Sequence, residues 1–211
     1  KSLEFGMGLT LPAAAALCII PGPIVAVLYE RGAVLPETTE ATAAALSAFA
    51  IGLPSFVLIK VLQPAFFARE DMRTPMWFSL VSLVVNVAAS LLMFPYFGHV
   101  GIALATSLAG WANAVLLMYA LYQRRDFSLD PATVKRLAMI TVAPGVMAGF
   151  LLGYDWLTGE MFADGGLLLR LPLLAAAVVL GGALYGCVAL ATGGVDRKML
   201  ASALRRNRQA P

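Results

Sequence analysis

Charge is scarce in this chain: only 13% of its 211 residues are Asp, Glu, Lys or Arg, against 60% hydrophobic. Fifteen bases and twelve acids cannot supply the polar shell that a soluble globule of this length requires. The mean hydropathy of +0.83 lies outside the usage of soluble domains, which leaves lipid as the outer solvent. Histidine occurs once, at His99, and cysteine twice, at Cys18 and Cys187, each cysteine inside an apolar run. A disulfide framework, a zinc or other metal site and a histidine-based triad therefore lack their parts. There is no G-x-S-x-G serine, phosphate loop or dinucleotide fingerprint, so neither an enzyme nor a cofactor is expected. Although the isoelectric point is near 9.0, the bases lie between apolar segments and at the C-terminus. That is the pattern of cytoplasmic loop charge, and nucleic acid is not an expected partner. No methionine opens the chain, and "KSLEFGMG" resembles neither a signal peptide nor a transit sequence, so the chain is expected to begin in mid-protein.

What is present is a series of long apolar runs. A membrane-crossing helix needs about 20 such residues, and six segments qualify. The first covers about 6–29 and carries Pro12, Pro21 and Pro23, so it should be kinked. The second begins near Pro36, with Glu37 and Glu40 suited to a helix N-terminus, and continues to about Ala68, long enough to overshoot a bilayer. The third follows Thr74-Pro75 as cap and first helical residue and ends near Tyr96; the fourth runs from about Val100 to Tyr122, with His99 in the short loop between. The fifth starts after Asp130-Pro131 and ends near Tyr154, and the sixth covers about 167–192. The expected fold class is all-α, a polytopic transmembrane helical bundle of six spans.

The bases set an orientation. If the C-terminus is cytoplasmic, Lys1, Arg69, Arg73, Arg124, Arg125, Lys135, Arg136 and five bases of the tail share that side, while the other side holds only Arg31 and Arg170. The loop "YDWLTGEMFADGG" has acids and no base, as an outward loop often does. Both ends of the chain are then expected inside. The tail "VDRKMLASALRRNRQAP" sets Met199, Leu200, Ala203 and Leu204 on one helical face under a basic one. It suits either a short helix lying on anionic lipid or a solvated end.

Polar residues inside the spans are few. Lys60 precedes Arg69 by nine positions, about 13 Å along a helix, and so falls within the inner hydrocarbon. A cation there faces a bundle interior or watery cavity on a substrate path, or else snorkels to the headgroups. Gln63 is one turn on. Pro64 cannot donate to the carbonyl of Lys60, which makes it a hinge candidate with Pro54 one stretch earlier. Arg69, Glu70, Asp71 and Arg73 crowd the turn that follows, where opposite charges can pair. Asn86, Thr106, Ser107 and Asn113 are expected to bond across helices. Gly145, Gly149 and Gly153, and Gly182 with Gly186, make small-x-x-x-small steps that suit close helix packing.

The stretch "LYERGAVLPETTEATAAALSAFAIGLPSFVLIKVLQPAFFAREDMRTP" and the later "NVAASLLMFPYFGHVGIALATSLAGWANAVLLMYALYQRR" resemble the MurJ (MviN) lipid II flippase family. "ERG" after a span, "KVLQPAFFAR" leading into "DMRTP", and "GHVGIALATS" carry the likeness, which covers about 28–125. The resemblance implies a fourteen-span, MATE-like member of the multidrug/oligosaccharidyl-lipid/polysaccharide (MOP) exporter superfamily. In that plan 1–125 are spans nine to twelve, 126–194 the two extra C-terminal spans, and 195–211 a basic cytoplasmic tail. It further implies alternating access, in which a cationic cavity receives the diphosphate of lipid II in the bacterial inner membrane. Most arginines credited with that contact belong to spans one, two and eight, in an N-terminal half missing here. Lys60, Gln63, Arg69 and Arg73 are the candidate substrate or cavity residues left in this chain. Lipid II, membrane lipids and the N-terminal half are the implied partners, and a coupling ion or the membrane potential the implied driving force. The competing readings are another exporter of the superfamily, for polysaccharide lipid or drugs, and a non-transporting membrane scaffold subunit.

Overall fold

Apolar runs broken only by proline, glycine and short charged turns leave the backbone one way to satisfy its polar groups in lipid, which is to bond within each segment as a helix. The computed structural model describes residues 2–29, 36–124, 131–164 and 166–191, and there every element is helical. They are α1 (Ser2–Ile19), α2 (Pro21–Tyr29), α3 (Pro36–Phe67), α4 (Arg73–Phe97), α5 (His99–Gln123), α6 (Pro131–Asp164) and α7 (Leu167–Ala191). Five of them are long and apolar enough to cross a membrane, and α1 with α2 makes a sixth where the bent pair is counted as one span. The basic tail, Asp130 and the "ERG" segment fall outside the described residues.

The expected kink in the first span is a full break: α2 turns 81° from α1. Pro12 alone is absorbed within α1. Pro21 and Pro23 flank Gly22, so two of three successive residues lack an N–H, and Ile20, just before a proline, is steered away from helical geometry. Ile20 is nevertheless buried, at 2% exposure, in a cluster with Met147, Leu151 and Ala177. The corner is therefore held by packing on α6 and α7.

α3 begins at Pro36 as expected, and its 32 residues extend about 48 Å, well beyond an apolar thickness of about 30 Å. It runs through Pro54 and Pro64 as one helical element. Three expectations need correction. His99 is not in a loop; Gly98 alone, at φ 54°, turns the chain between α4 and α5. Thr74-Pro75 does not open α4 as cap and first residue; the helix begins two residues before Pro75, at Arg73. The acidic segment after Tyr154 is not a loop either, because α6 continues through it to Asp164.

The helices pack in the spatial order α4, α5, α3, α1, α6, α7, with α2 against α3 and α7. α5 is the central element of the first three, and up to Ala114 its buried residues are Gly101, Ala103, Ala105, Ser107, Ala109, Gly110, Asn113 and Ala114, with Leu117 and Leu121 beyond. Small residues let backbones approach, which is how helices gain contact where lipid offers no hydrophobic drive. A Cβ on Gly52 of α3 would stand 2.6 Å from Oγ and 3.0 Å from Cα of Ser107, and one on Gly110 would stand 2.5 Å from Oγ of Ser55. Side-chain hydrogen bonds follow the same seam. Ser107 donates to the carbonyl of Ala48 at 2.6 Å and Trp111 to that of Ile51 at 3.0 Å, while Ser82 of α4 donates to Ala109 at 2.6 Å. Of the four polar residues expected to bond across helices, Ser107 does so. Thr106 bonds to Ile102 within α5, and Asn86 accepts from Ser90 within α4.

Among the described residues, an added Cβ at Gly145, Gly149, Gly153, Gly182 or Gly186 would meet nothing within 4 Å, so no described helix packs against these steps. The α6–α7 seam lies on a different face of each helix: Gly181 fits against Leu151 and Met147, at 3.3 and 3.5 Å from an added Cβ.

Candidate functional site at the α3–α4 corner

The inner half of α3 has two faces. Ile59, Leu62 and Phe66, at helical spacing, pack with Leu117 and Leu121 of α5 and Phe78 of α4. Lys60, Pro64 and Phe67 recur at i, i+4 and i+7 on the opposite face, and all three are exposed. Gln63 lies half-buried at the boundary between the faces. Lys60 makes no hydrogen bond or ion pair among the described residues. Because Pro64 supplies no N–H, the carbonyl of Lys60 loses its helical donor on that same outer face. An ammonium and a carbonyl without its usual i+4 donor thus share one side of an otherwise apolar span.

α3 ends in a defined turn. Asp71 N–H donates to the carbonyl of Phe66 at 3.1 Å, and Glu70 N–H to that of Phe67 at 3.0 Å. These are the two bonds of a Schellman motif, whose left-handed residue is usually glycine. Here it is Glu70, at φ 58°. The next residue bonds to the first turn of the following helix: the Asp71 carboxylate accepts from Thr74 N–H at 3.1 Å and from Thr74 Oγ1 at 2.7 Å. An oxygen accepting from the N–H three residues on is the bonding of an N-cap, so Asp71 serves the role expected of Thr74. Thr74 itself is a donor.

Arg124, at the end of α5, completes the corner. Its Nη2 lies 2.7 Å from Asp71 Oδ2 and 3.1 Å from Thr74 Oγ1, and the guanidinium sits 5.3 Å from the centre of the Phe66 ring. The Thr74 hydroxyl and N–H, with the Arg124 guanidinium, hold the Asp71 carboxyl down at about 2. Asp71 of the corner pairs with Arg124, across 53 residues of chain. Arg69 and Arg73 are both exposed at this corner. The sequence reasoning missed Asp71 and Arg124 as a pair. The D-x-x-T spacing was a local signal for the cap, whereas nothing local pointed to Arg124.

Long apolar helices around two buried cores define a multi-pass helical membrane protein. Among the described residues, no group of three or more His, Cys, Asp or Glu is placed to hold a metal ion. The profile of one family, described as lipid II flippase MurJ, matches residues 1–173. The whole chain is 41% identical to 40% of the probable lipid II flippase MurJ of Rhizobium tropici, and 40% identical to 39% of that of Rhizobium meliloti. Over 87% of its length it is 32% identical to 36% of the lipid II flippase MurJ of Burkholderia cenocepacia. The chain belongs to the MurJ lipid II flippase family. It spans about 40% of the length of the curated relatives it matches.

Proposed function

We propose that this chain is the C-terminal part of a lipid II flippase, which moves the undecaprenyl-diphosphate-linked precursor across the bacterial inner membrane by alternating access. The observation that carries this reading is the similarity of the whole chain to proteins named as lipid II flippases. The same names favour it over a polysaccharide or drug exporter and over a scaffold subunit. In this reading 1–125 are spans nine to twelve, 126–194 the two extra spans and 195–211 a cytoplasmic tail, with both ends inside. An ion gradient or the membrane potential drives the cycle, and the upstream half of the protein closes the cavity.

Lys60 is the residue of this chain that meets the substrate diphosphate. Its exposure on α3, its lack of a partner among the described residues and the carbonyl released by Pro64 support that role. Gln63 flanks it, Arg69 and Arg73 extend the positive path to the inner surface, and Pro54 and Pro64 let α3 flex. Cells depleted of their own flippase and supplied with the full-length gene that contains this chain provide the test. Lys60→Met should lose rescue at normal membrane abundance, and Lys60→Arg should keep part of it, because the charge survives and its geometry changes. Full rescue by Lys60→Met at normal abundance would leave only snorkelling as the reason for this lysine.

A further inference from the structure

The break between α1 and α2 does more than bend a span. The 81° turn carries Gly22 and Ala26 over to face α6 and α7, and a cleft of about 290 Å³ lies between the three helices. Asp155, Gly159 and Phe162 line it from one face of α6 at i, i+4 and i+7, and Arg170 lines it from the first turn of α7. The recess is open at both glycines, since a Cβ on Gly22 or Gly159 would meet nothing within 4 Å.

The depth of the cleft follows from the spans. The charge-free apolar run of α6 ends at Tyr154, just before Asp155, and α7 opens on the apolar Leu167, Leu168 and Leu169. Asp155 therefore stands at the end of its apolar run and Arg170 about 5 Å inside the start of α7, at the level of lipid headgroups and glycerol rather than the hydrocarbon centre. A guanidinium forks onto phosphate oxygens, and a carboxylate attracts an ammonium and repels a second anion. The volume is at the lower limit of about 300 Å³ for small-molecule sites, enough for a headgroup and too small for a glycan with its peptide.

We propose that this cleft binds the headgroup of a zwitterionic phospholipid, with Arg170 on the phosphate and Asp155 on the ammonium. The site is separate from the Lys60 face and does not depend on how lipid II is moved. A bilayer lipid and a soluble phosphoammonium compound share this chemistry, and the bilayer lipid is the proposed occupant because the cleft lies at headgroup depth.

Native mass spectrometry of the purified full-length protein that contains this chain, titrated with phosphatidylethanolamine or phosphatidylglycerol of identical acyl chains, tests the proposal. The wild type should retain one phosphatidylethanolamine about fivefold better than phosphatidylglycerol, the upper end for one partly exposed ion pair. Asp155→Asn should abolish that preference, and Arg170→Gln should weaken retention of both lipids. Gly159→Leu, which fills the cleft at a position where Cβ meets no neighbour, should block retention in a chain that unfolds at the wild-type temperature. Equal retention of the two lipids by the wild type, or unchanged retention in Gly159→Leu, would overturn the site. Displacement of the lipid by soluble glycerophosphoethanolamine would overturn the assignment to a bilayer lipid.

Discussion

Arg124 and Asp71 lie at the ends of different helices, and a 2.7 Å ion pair joins them over the ring of Phe66. The pair links three elements at one point, because Asp71 follows the last turn of α3 and caps α4 while Arg124 closes α5. A cation at a helix C-terminus and an anion at a helix N-terminus each also meet a favourable backbone dipole. α4 otherwise packs almost wholly against α5 and barely touches α3, so this corner is its main tie to α3.

Acid should release the corner only at low pH. Asp71 titrates at about 2 instead of 3.8, so the stability it contributes is present above 3.8 and is lost as pH falls through about 2. Asp71→Asn should lower the thermal unfolding midpoint in detergent at neutral pH by an amount that stays constant down to about pH 4. Below that the gap to wild type should close. A gap that shrinks between neutral pH and 4 would assign the stabilisation to another group.

Glu70 occupies the left-handed position of the Schellman turn at φ 58°, where a side chain costs about 1 kcal/mol. Glu70→Gly should therefore raise the unfolding midpoint, or leave it unchanged if the greater freedom of glycine in the unfolded chain offsets the gain. A marked loss of stability would mean that the Glu70 carboxylate makes a contact worth more than the strain.

The two sets of glycines should respond oppositely to alanine. Gly52→Ala places a methyl 3.0 Å from the Ser107 backbone, and the forced separation of α3 from α5 should cost about 1–3 kcal/mol. Gly149→Ala, with nothing within 4 Å, should be neutral or stabilise α6 by up to about 1 kcal/mol. Thermal unfolding of the two variants side by side checks the difference, and equal destabilisation would contradict the α3–α5 seam.

Topology is open to chemical labelling. With both ends inside, a cysteine at the exposed Gly166, between α6 and α7, should react with a membrane-impermeant maleimide added to intact cells, and one at Ser128 should not. Labelling at Ser128 alone would invert the arrangement drawn from the lysines and arginines.

Much of the fold was legible because lipid imposes a local rule. Each span must satisfy its own backbone, so its limits follow from apolar length, proline and charge, and α3, α5 and α7 begin and end within a residue or two of their expected positions. Helix caps were less legible. Thr74 and Asp71 are both good cap residues by type, and the choice fell to Asp71 because Arg124, from another helix, stabilises its carboxylate. Lys60 stood out by composition alone, since a cation inside an apolar run is unusual wherever it points.

By itself the sequence determined that this is a helical membrane protein, where its spans lie, that the first span cannot run straight, and which lysine interrupts a span. These depend on hydrophobicity and backbone donors, which belong to each residue and its near neighbours. Only the tertiary structure decided which glycines admit a neighbouring helix, which arginine Asp71 meets, and that the broken span opens a cleft toward Asp155 and Arg170. Those relationships depend on the rotation of one helix against another, where a shift of one residue turns a side chain by about 100° and moves it from a seam into the lipid.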